Sequence, residues 1–276
     1  MLELLMTPLV TARGVGVAYG STVALSPSDF DLPRGAVIAV IGPNGSGKST
    51  LLNLLAGLAE PYAGSIAVDV VASRISYVMQ STKINEALPV SVREVVMMGR
   101  YASLGPYGRI REQDREAVDR VLERMGISGI EGRHIHDLSG GQRQRVLVAQ
   151  GLAQEHDLLL LDEPMTGVDL TTAHAIDEVV HAETMEGCTV VMTTHDLSEA
   201  RLSEFVILLA GGIVASGPPD SVLTEANLLK AYGPSLLHAE EGRIFVDDPA
   251  HLPAGRHSRP GRSIHTESDP AGSHGD

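Results

Sequence analysis

Ala36-Val37-Ile38-Ala39-Val40-Ile41 runs straight into Gly42-Pro43-Asn44-Gly45-Ser46-Gly47-Lys48-Ser49-Thr50, and residues apolar at helical spacing follow from Ser49 to Leu58. The first run is fully apolar and of buried-strand length. The second fits G-x-x-x-x-G-K-[ST] in full, in the strand–loop–helix setting that gives this motif its meaning. Its glycines let successive backbone N–H groups turn toward one anion. The helix opening near Lys48 adds its positive end. Lys48 is placed to reach the β- and γ-phosphates of a nucleotide, and the Ser49 hydroxyl to sit on Mg²⁺. The chain has three lysines (Lys48, Lys83, Lys230) against eighteen arginines, yet one of the three stands at the phosphate position.

A second apolar run, Leu158-Leu159-Leu160-Leu161, ends in Asp162-Glu163. Ligands of parallel α/β sheets gather at the carboxyl ends of strands. Asp162 is therefore expected on the same edge as the phosphate loop, holding Mg²⁺ directly or through water. Glu163 is expected to polarise the water that attacks the γ-phosphate.

The rest of the chain alternates strand and helix patterns. Val10 to Ala18, Val23 to Leu32 and Arg74 to Met79 read as strands before a helical stretch from about Ser91 to Gln154. Its segments are Val92 to Tyr101, Arg111 to Met125 and Gly141 to Gln154. Strands return at Leu158 to Asp162, Thr189 to Thr193 and Phe205 to Ala210, with helices at Leu170 to Met185 and Leu197 to Leu202. The alternation predicts an α/β fold with a mostly parallel sheet, interrupted by a helical insert. Nine arginines and seven acids between Arg100 and Arg145 read as a solvated helical surface, or as a face for a partner.

Composition excludes several classes. A net charge of −14 opposes a nucleic-acid binder held by phosphate contacts. Nine aromatic residues and no Trp leave little for base stacking. A single cysteine, Cys188, excludes an internal disulfide framework and a structural zinc site built on several cysteines. No apolar run reaches the ~20 residues of a membrane span, and the first residues do not read as a signal peptide. The chain is expected in the cytosol, or at a membrane through a partner. Residues 247–276 carry four Pro and four His (His251, His257, His265, His274) with few large apolar residues, and read as a disordered, passive tail.

Leu138-Ser139-Gly140-Gly141-Gln142 narrows the reading. This LSGGQ run, between the phosphate loop and the acidic strand, resembles the signature of ATP-binding cassette (ABC) ATPases. The family's other marks stand in order. Tyr19 is similar to the aromatic residue that stacks on adenine, Gln80 to the glutamine-loop residue, Gly167-Val168-Asp169 to the aspartate loop, and His195 to the switch histidine. Taken singly these four have plainer readings: an edge-strand packing residue, a polar strand end, an acid stabilised at a helix N-terminus, and a structural histidine. The resemblance covers roughly residues 8 to 235.

It implies a P-loop NTPase fold of ABC type, with an antiparallel β subdomain and a helical subdomain over about 81–155, within a domain spanning 1–246. Tyr19, the loop Gly42 to Thr50, Ser139, Gly140, Gly141, Gln142 and Asp169 would bind ATP. Ser49, Gln80 and Asp162 would hold Mg²⁺, and Lys48, Gln80, Glu163 and His195 would serve hydrolysis. The signature would cap the nucleotide of a second copy, so two chains would pack head to tail around two ATP. Gln150-Gly151 departs from the family's usual Arg-Ala, and Gly151 is expected to cost about 1 kcal/mol of helix propensity.

Without a membrane span, the resemblance implies a separate permease and, for an importer, an extracytoplasmic substrate-binding protein. Leu88 to Tyr101 and Leu159 to Asp169 resemble the metal-ion (manganese, zinc, iron) importer branch and its anchored repeat-type relatives. Haem or siderophore importers, export subunits and a soluble regulatory ATPase without a permease remain alternatives. ATP-driven closure would move Gln80 and the region from Val90 to Gly105 against the permease, at the cytoplasmic face of the membrane.

Overall fold

The computed structural model describes residues 7–80, 89–104 and 108–234, together with the backbone of strands Leu237–Glu240 and Arg243–Val246. In chain order the strands are β1 (Val10–Tyr19), β2 (Thr22–Leu32), β3 (Val37–Ile41), β4 (Ala63–Val68), β5 (Ile75–Val78), β6 (Leu158–Leu161), β7 (Thr189–Thr194), β8 (Phe205–Leu209), β9 (Ile213–Gly217), β10 (Leu237–Glu240) and β11 (Arg243–Val246). The helices are α1 (Lys48–Leu55), α2 (Val92–Met98), α3 (Tyr101–Leu104), α4 (Glu112–Arg124), α5 (Gly140–Ala153), α6 (Leu170–Met185), α7 (Leu197–Leu202), α8 (Pro219–Val222) and α9 (Glu225–Tyr232). The expectations for Leu88, Gly105 and the tail 247–276 fall outside the described residues.

The main sheet has the order β5-β6-β7-β3-β8-β9. Every pair is parallel except β8 with β9. Its central strands are buried on both faces because successive side chains point to opposite sides. Leu159 and Leu161 of β6, with Val190 and Met192 of β7, join an apolar cluster under α2, α4, α5 and α6. Leu158, Leu160 and Val191 join a second one, with α1, β1 and β2, on the other face. The antiparallel sheet β2-β1-β4 stands beside it. Ala63–Val68 was not expected as a strand: Ala, Gly and Ser dilute its apolar alternation. Its pairing rests on backbone closeness, since a Cβ at Gly64 would come within 2.2 Å of the Gly14 carbonyl oxygen.

The helices α2 to α5 lie between β5 and β6, where the sequence places a helical insert. Arg100 corrects the reading of that region as a solvated surface. It is buried, bonded to Asp114 at 3.0 Å, the Ala153 carbonyl at 2.8 Å and Glu155 at 3.1 Å. One guanidinium thus ties α4 to the end of α5. Arg109, Arg111, Arg115, Arg120 and Arg133 are exposed as expected.

Gly151 reverses its expected cost. A Cβ there would lie 2.4 Å from Val78 Cγ2, and the Gly151 carbonyl accepts from the buried Ser76 hydroxyl at 2.8 Å. The glycine lets α5 lie directly on β5. The neighbouring Gln150 carbonyl is approached just as closely by α2, where a Cβ at Gly99 would meet its oxygen at 2.1 Å. Gly151→Ala gains about 1 kcal/mol of helix propensity but overpacks the contact by about 1–3 kcal/mol. Its urea midpoint is therefore expected below that of the wild type; a raised midpoint would refute the packing account.

Candidate nucleotide-binding site

Strand register sets the site. Ile41 pairs with Thr194, Leu161 with Met192, and Val78 with Leu161. Gly42, His195, Asp162, Glu163 and Gln80 therefore all follow strand ends on one edge of the sheet. The phosphate loop, Gln80 and Glu163 share a cleft of about 290 Å³, lined by Ala24, Asn44, Gly45, Gly47, Lys48, Ser49, Thr50, Gln80 and Glu163.

The loop has the shape of an anion cradle. Gly45 and Gly47 take φ of +77° and +103°, left-handed values that favour glycine. A Cβ at Gly47 would also sit 2.7 Å from the Ala24 carbonyl oxygen. A Cβ at Gly42 would sit 2.2 Å from the Leu209 carbonyl oxygen, so the loop is pressed onto the end of β8. The Lys48 ammonium donates to the Gly42 carbonyl at 2.9 Å and the Pro43 carbonyl at 3.3 Å. Ser46 Oγ is buried inside the loop without a hydrogen-bond partner. A buried hydroxyl in that condition fits a loop shaped for added oxygen acceptors.

The acids are held by a residue to which the sequence assigned no role. The Thr193 hydroxyl donates to Asp162 Oδ1 at 2.6 Å and accepts from the Glu163 backbone N–H at 2.8 Å. Its signal in the sequence was its place beside His195. Glu163 has a φ of +49°, unique among the described non-glycine residues. That strained backbone, costing on the order of 1 kcal/mol, turns the carboxylate into the cleft. There Gln80 Nε2 donates to Glu163 Oε2 at 2.6 Å. Ser49, Gln80 and Asp162 supply oxygen donors of the kind that suits Mg²⁺, and Ser49 and Gln80 lie in the cleft itself.

The other expected residues lie outside the cleft lining. Tyr19 is exposed at the end of β1, its hydroxyl 3.5 Å from Asn53 Nδ2. Pro43 belongs to the loop but does not line the cleft. Ser139 caps α5: its hydroxyl accepts from the Gln142 N–H at 3.3 Å, and the Gln142 side chain accepts from the Ser139 N–H at 3.2 Å. This reciprocal box fixes the helix start and spends the Gln142 side chain on structure. Gly140 is open, with nothing within 4 Å of an added Cβ. Gly141 packs on the start of α6, where a Cβ would meet Thr172 Oγ1 at 2.8 Å and Asp169 Oδ2 at 3.0 Å. Asp169 caps α6, and the Thr172 N–H that it accepts holds its carboxyl below the usual range. The signature and the aspartate loop are thus one packed unit, distinct from the phosphate cleft.

Thr193→Val keeps the shape but removes both bonds to the acids. We expect a loss of about 1–3 kcal/mol of stability and a fall of about tenfold or more in ATP turnover at saturating substrate. Unchanged turnover in the folded variant would show that Thr193 does not position the acids.

Comparisons with known proteins give the family. The ABC transporter family profile matches residues 25–166. The chelated iron transport system membrane protein YfeB of Yersinia pestis is 36% identical over 251 residues, covering 87% of this chain and 85% of that protein. The manganese transport system ATP-binding protein MntB of Bacillus subtilis (strain 168) is 37% identical over 230 residues, covering 81% and 92%. A chain of an inward-facing transporter assigned to the metal-chelate type of ABC transporter superposes with a TM-score of 0.74 at 28% identity, covering 88% and 96%. This chain belongs to the ABC transporter family, as one of its ATP-hydrolysing, nucleotide-binding subunits.

Proposed function

We propose that this chain powers a separate membrane permease that imports a metal ion or metal chelate. The observation that carries the reading is that relatives 36% and 37% identical over most of their length serve chelated-iron and manganese transport. Those two cargoes differ, so the proposal names metal as the class. No helix among the described residues is long and apolar enough to cross a membrane, which suits a subunit docked on the cytoplasmic side of a permease. The apolar side chains of Met79, Met98 and Tyr101, left exposed in and beside the stretch after Gln80, suit that docking. An extracytoplasmic binding protein would deliver the cargo.

The roles follow from chemistry. Lys48 and the loop amides hold the β- and γ-phosphates of ATP, and Glu163 takes the proton of the attacking water. Ser49, Asp162 and Gln80 would hold Mg²⁺, which when bound neutralises charge on the phosphates. His195, one residue past the Thr194–Ile41 pair, reaches for the γ-phosphate. Tyr19 would stack on the adenine. The separation of Ser139, Gly140 and Gly141 from the cleft supports a head-to-tail pair of chains, in which each α5 N-terminus faces the nucleotide of the other. Asp169 would lie at that contact.

Tagged Glu163→Gln protein, with Mg-ATP and detergent-solubilised native membranes, gives the test. Recovery of a polytopic membrane protein, with lowered cell manganese or iron when the chain is deleted, is the expected result. Recovery of soluble partners alone would contradict the importer and favour a soluble regulatory ATPase.

A further inference from the structure

We propose that His156, Glu183 and Cys188 form a binding site for one zinc-type divalent cation, at the end of the sheet opposite the phosphate loop. His156 precedes β6 and Cys188 precedes β7, whereas the nucleotide edge lies beyond Leu161 and Thr194 at the other ends of these strands. Glu183 stands in the last turn of α6. One ligand atom from each of the three lies within 4.8 Å of the other two. No other group of three such residues comes together among the described residues.

The imidazole carries the argument. Its side chain is 5% exposed. Nδ1 lies 2.7 Å from the Gln154 carbonyl oxygen. A carbonyl only accepts, so Nδ1 carries a hydrogen, and Nε2 is the ring nitrogen left to face Glu183 and Cys188. Nε2 is fully buried and faces Glu183 Oε2 at 3.1 Å. An N–H···O=C bond on one ring nitrogen, with the other aimed at a thiol and a carboxylate, is the arrangement that orients histidine on a metal. The outer partners are also present. Arg124 Nη2 donates to Glu183 Oε1 at 2.7 Å, leaving Oε2 for the site, and Cys188 Sγ lies 3.4 Å from the Thr189 carbonyl oxygen.

The donor set selects the cation. One nitrogen, one sulfur and one oxygen suit zinc, whereas Mg²⁺ and Mn²⁺ favour oxygen. Tetrahedral zinc spaces its ligand atoms at about 3.3–3.8 Å, given bonds of about 2.0–2.3 Å. The longest edge here would close by about 1 Å. Glu183 and Cys188 are joined by the exposed turn through Met185, Glu186 and Gly187, so the cluster adjoins the surface. The competing occupant is a proton: burial lowers His156, but bonding to Cys188 and Glu183 outweighs it and pushes the group up to about 10. A bound cation displaces that proton.

Cobalt substitution tests the site on the full chain under reducing conditions. Cys188 is the sole cysteine, so any sulfur-to-cobalt charge-transfer absorption reports this site and excludes the histidines elsewhere. We expect one such cobalt per chain, displaced by zinc, with the band absent in Cys188→Ser. In His156→Gln, zinc affinity should fall by about 100-fold or more, beyond the loss typical of an outer-shell partner. Zinc should raise the Tm of the wild type and leave that of Cys188→Ser unchanged. No sulfur band at saturating cobalt, or a band unaltered in folded His156→Gln, would overturn the proposal and leave a buried imidazole–carboxylate pair.

Discussion

The in-register parallel pairing of β3, β7, β6 and β5 is the constraint on which the site depends. It brings four loop starts to one edge, spread over three strand spacings. The phosphate loop leaves β3, the Thr193–His195 segment leaves β7, Asp162 and Glu163 leave β6, and Gln80 follows β5. The four segments are far from one another in sequence. The apolar alternation of β6 and β7, feeding cores on both faces, holds the register, because a slip of one residue would exchange the two faces. Thr193 then joins neighbouring strands at the edge itself.

Much of this was legible in the sequence, for physical reasons. The phosphate loop announces itself because its backbone must curl, and only glycine takes φ of +77° and +103° without strain. The boundaries of α6 and α7 were read as they stand, since Asp169 and Asp196 cap them. Other features depend on contacts that a linear reading does not contain. Ala63–Val68 is a strand because β1 offers a partner, not because its own pattern is strong. Gly151 reads as a weakness in a helix and becomes a requirement once Val78 lies against it. Arg100 reads as surface charge until Asp114 and the Ala153 carbonyl enclose it. Thr193 gains its role only when β6 pairs with β7.

Two kinds of helix start do different work in this chain. α1 begins at the phosphate loop with a left-handed Gly47 and no side-chain cap, so its end is open to an anion. α5 begins with the Ser139–Gln142 box, which fixes the helix, while open Gly140 stands at its tip. The first lines the cleft, and the second packs on Asp169 at the start of α6. On the proposed function, a chain that carries both without joining them has the parts of one nucleotide site divided between two places. In the proposed head-to-tail pair a second copy would close that division and make hydrolysis a property of the pair.

Subunit mixing tests that division most directly. Lys48→Ala disables the phosphate loop, and Gly140→Asp puts a carboxylate at the α5 N-terminus, where the structure has room for it. In a head-to-tail pair built from one chain of each kind, one site carries both lesions and the other carries neither. The account predicts that each variant alone hydrolyses ATP poorly and that mixing them restores turnover well above either. Mixed turnover no greater than the average of the two variants measured separately would contradict it, and would place a complete site within each chain.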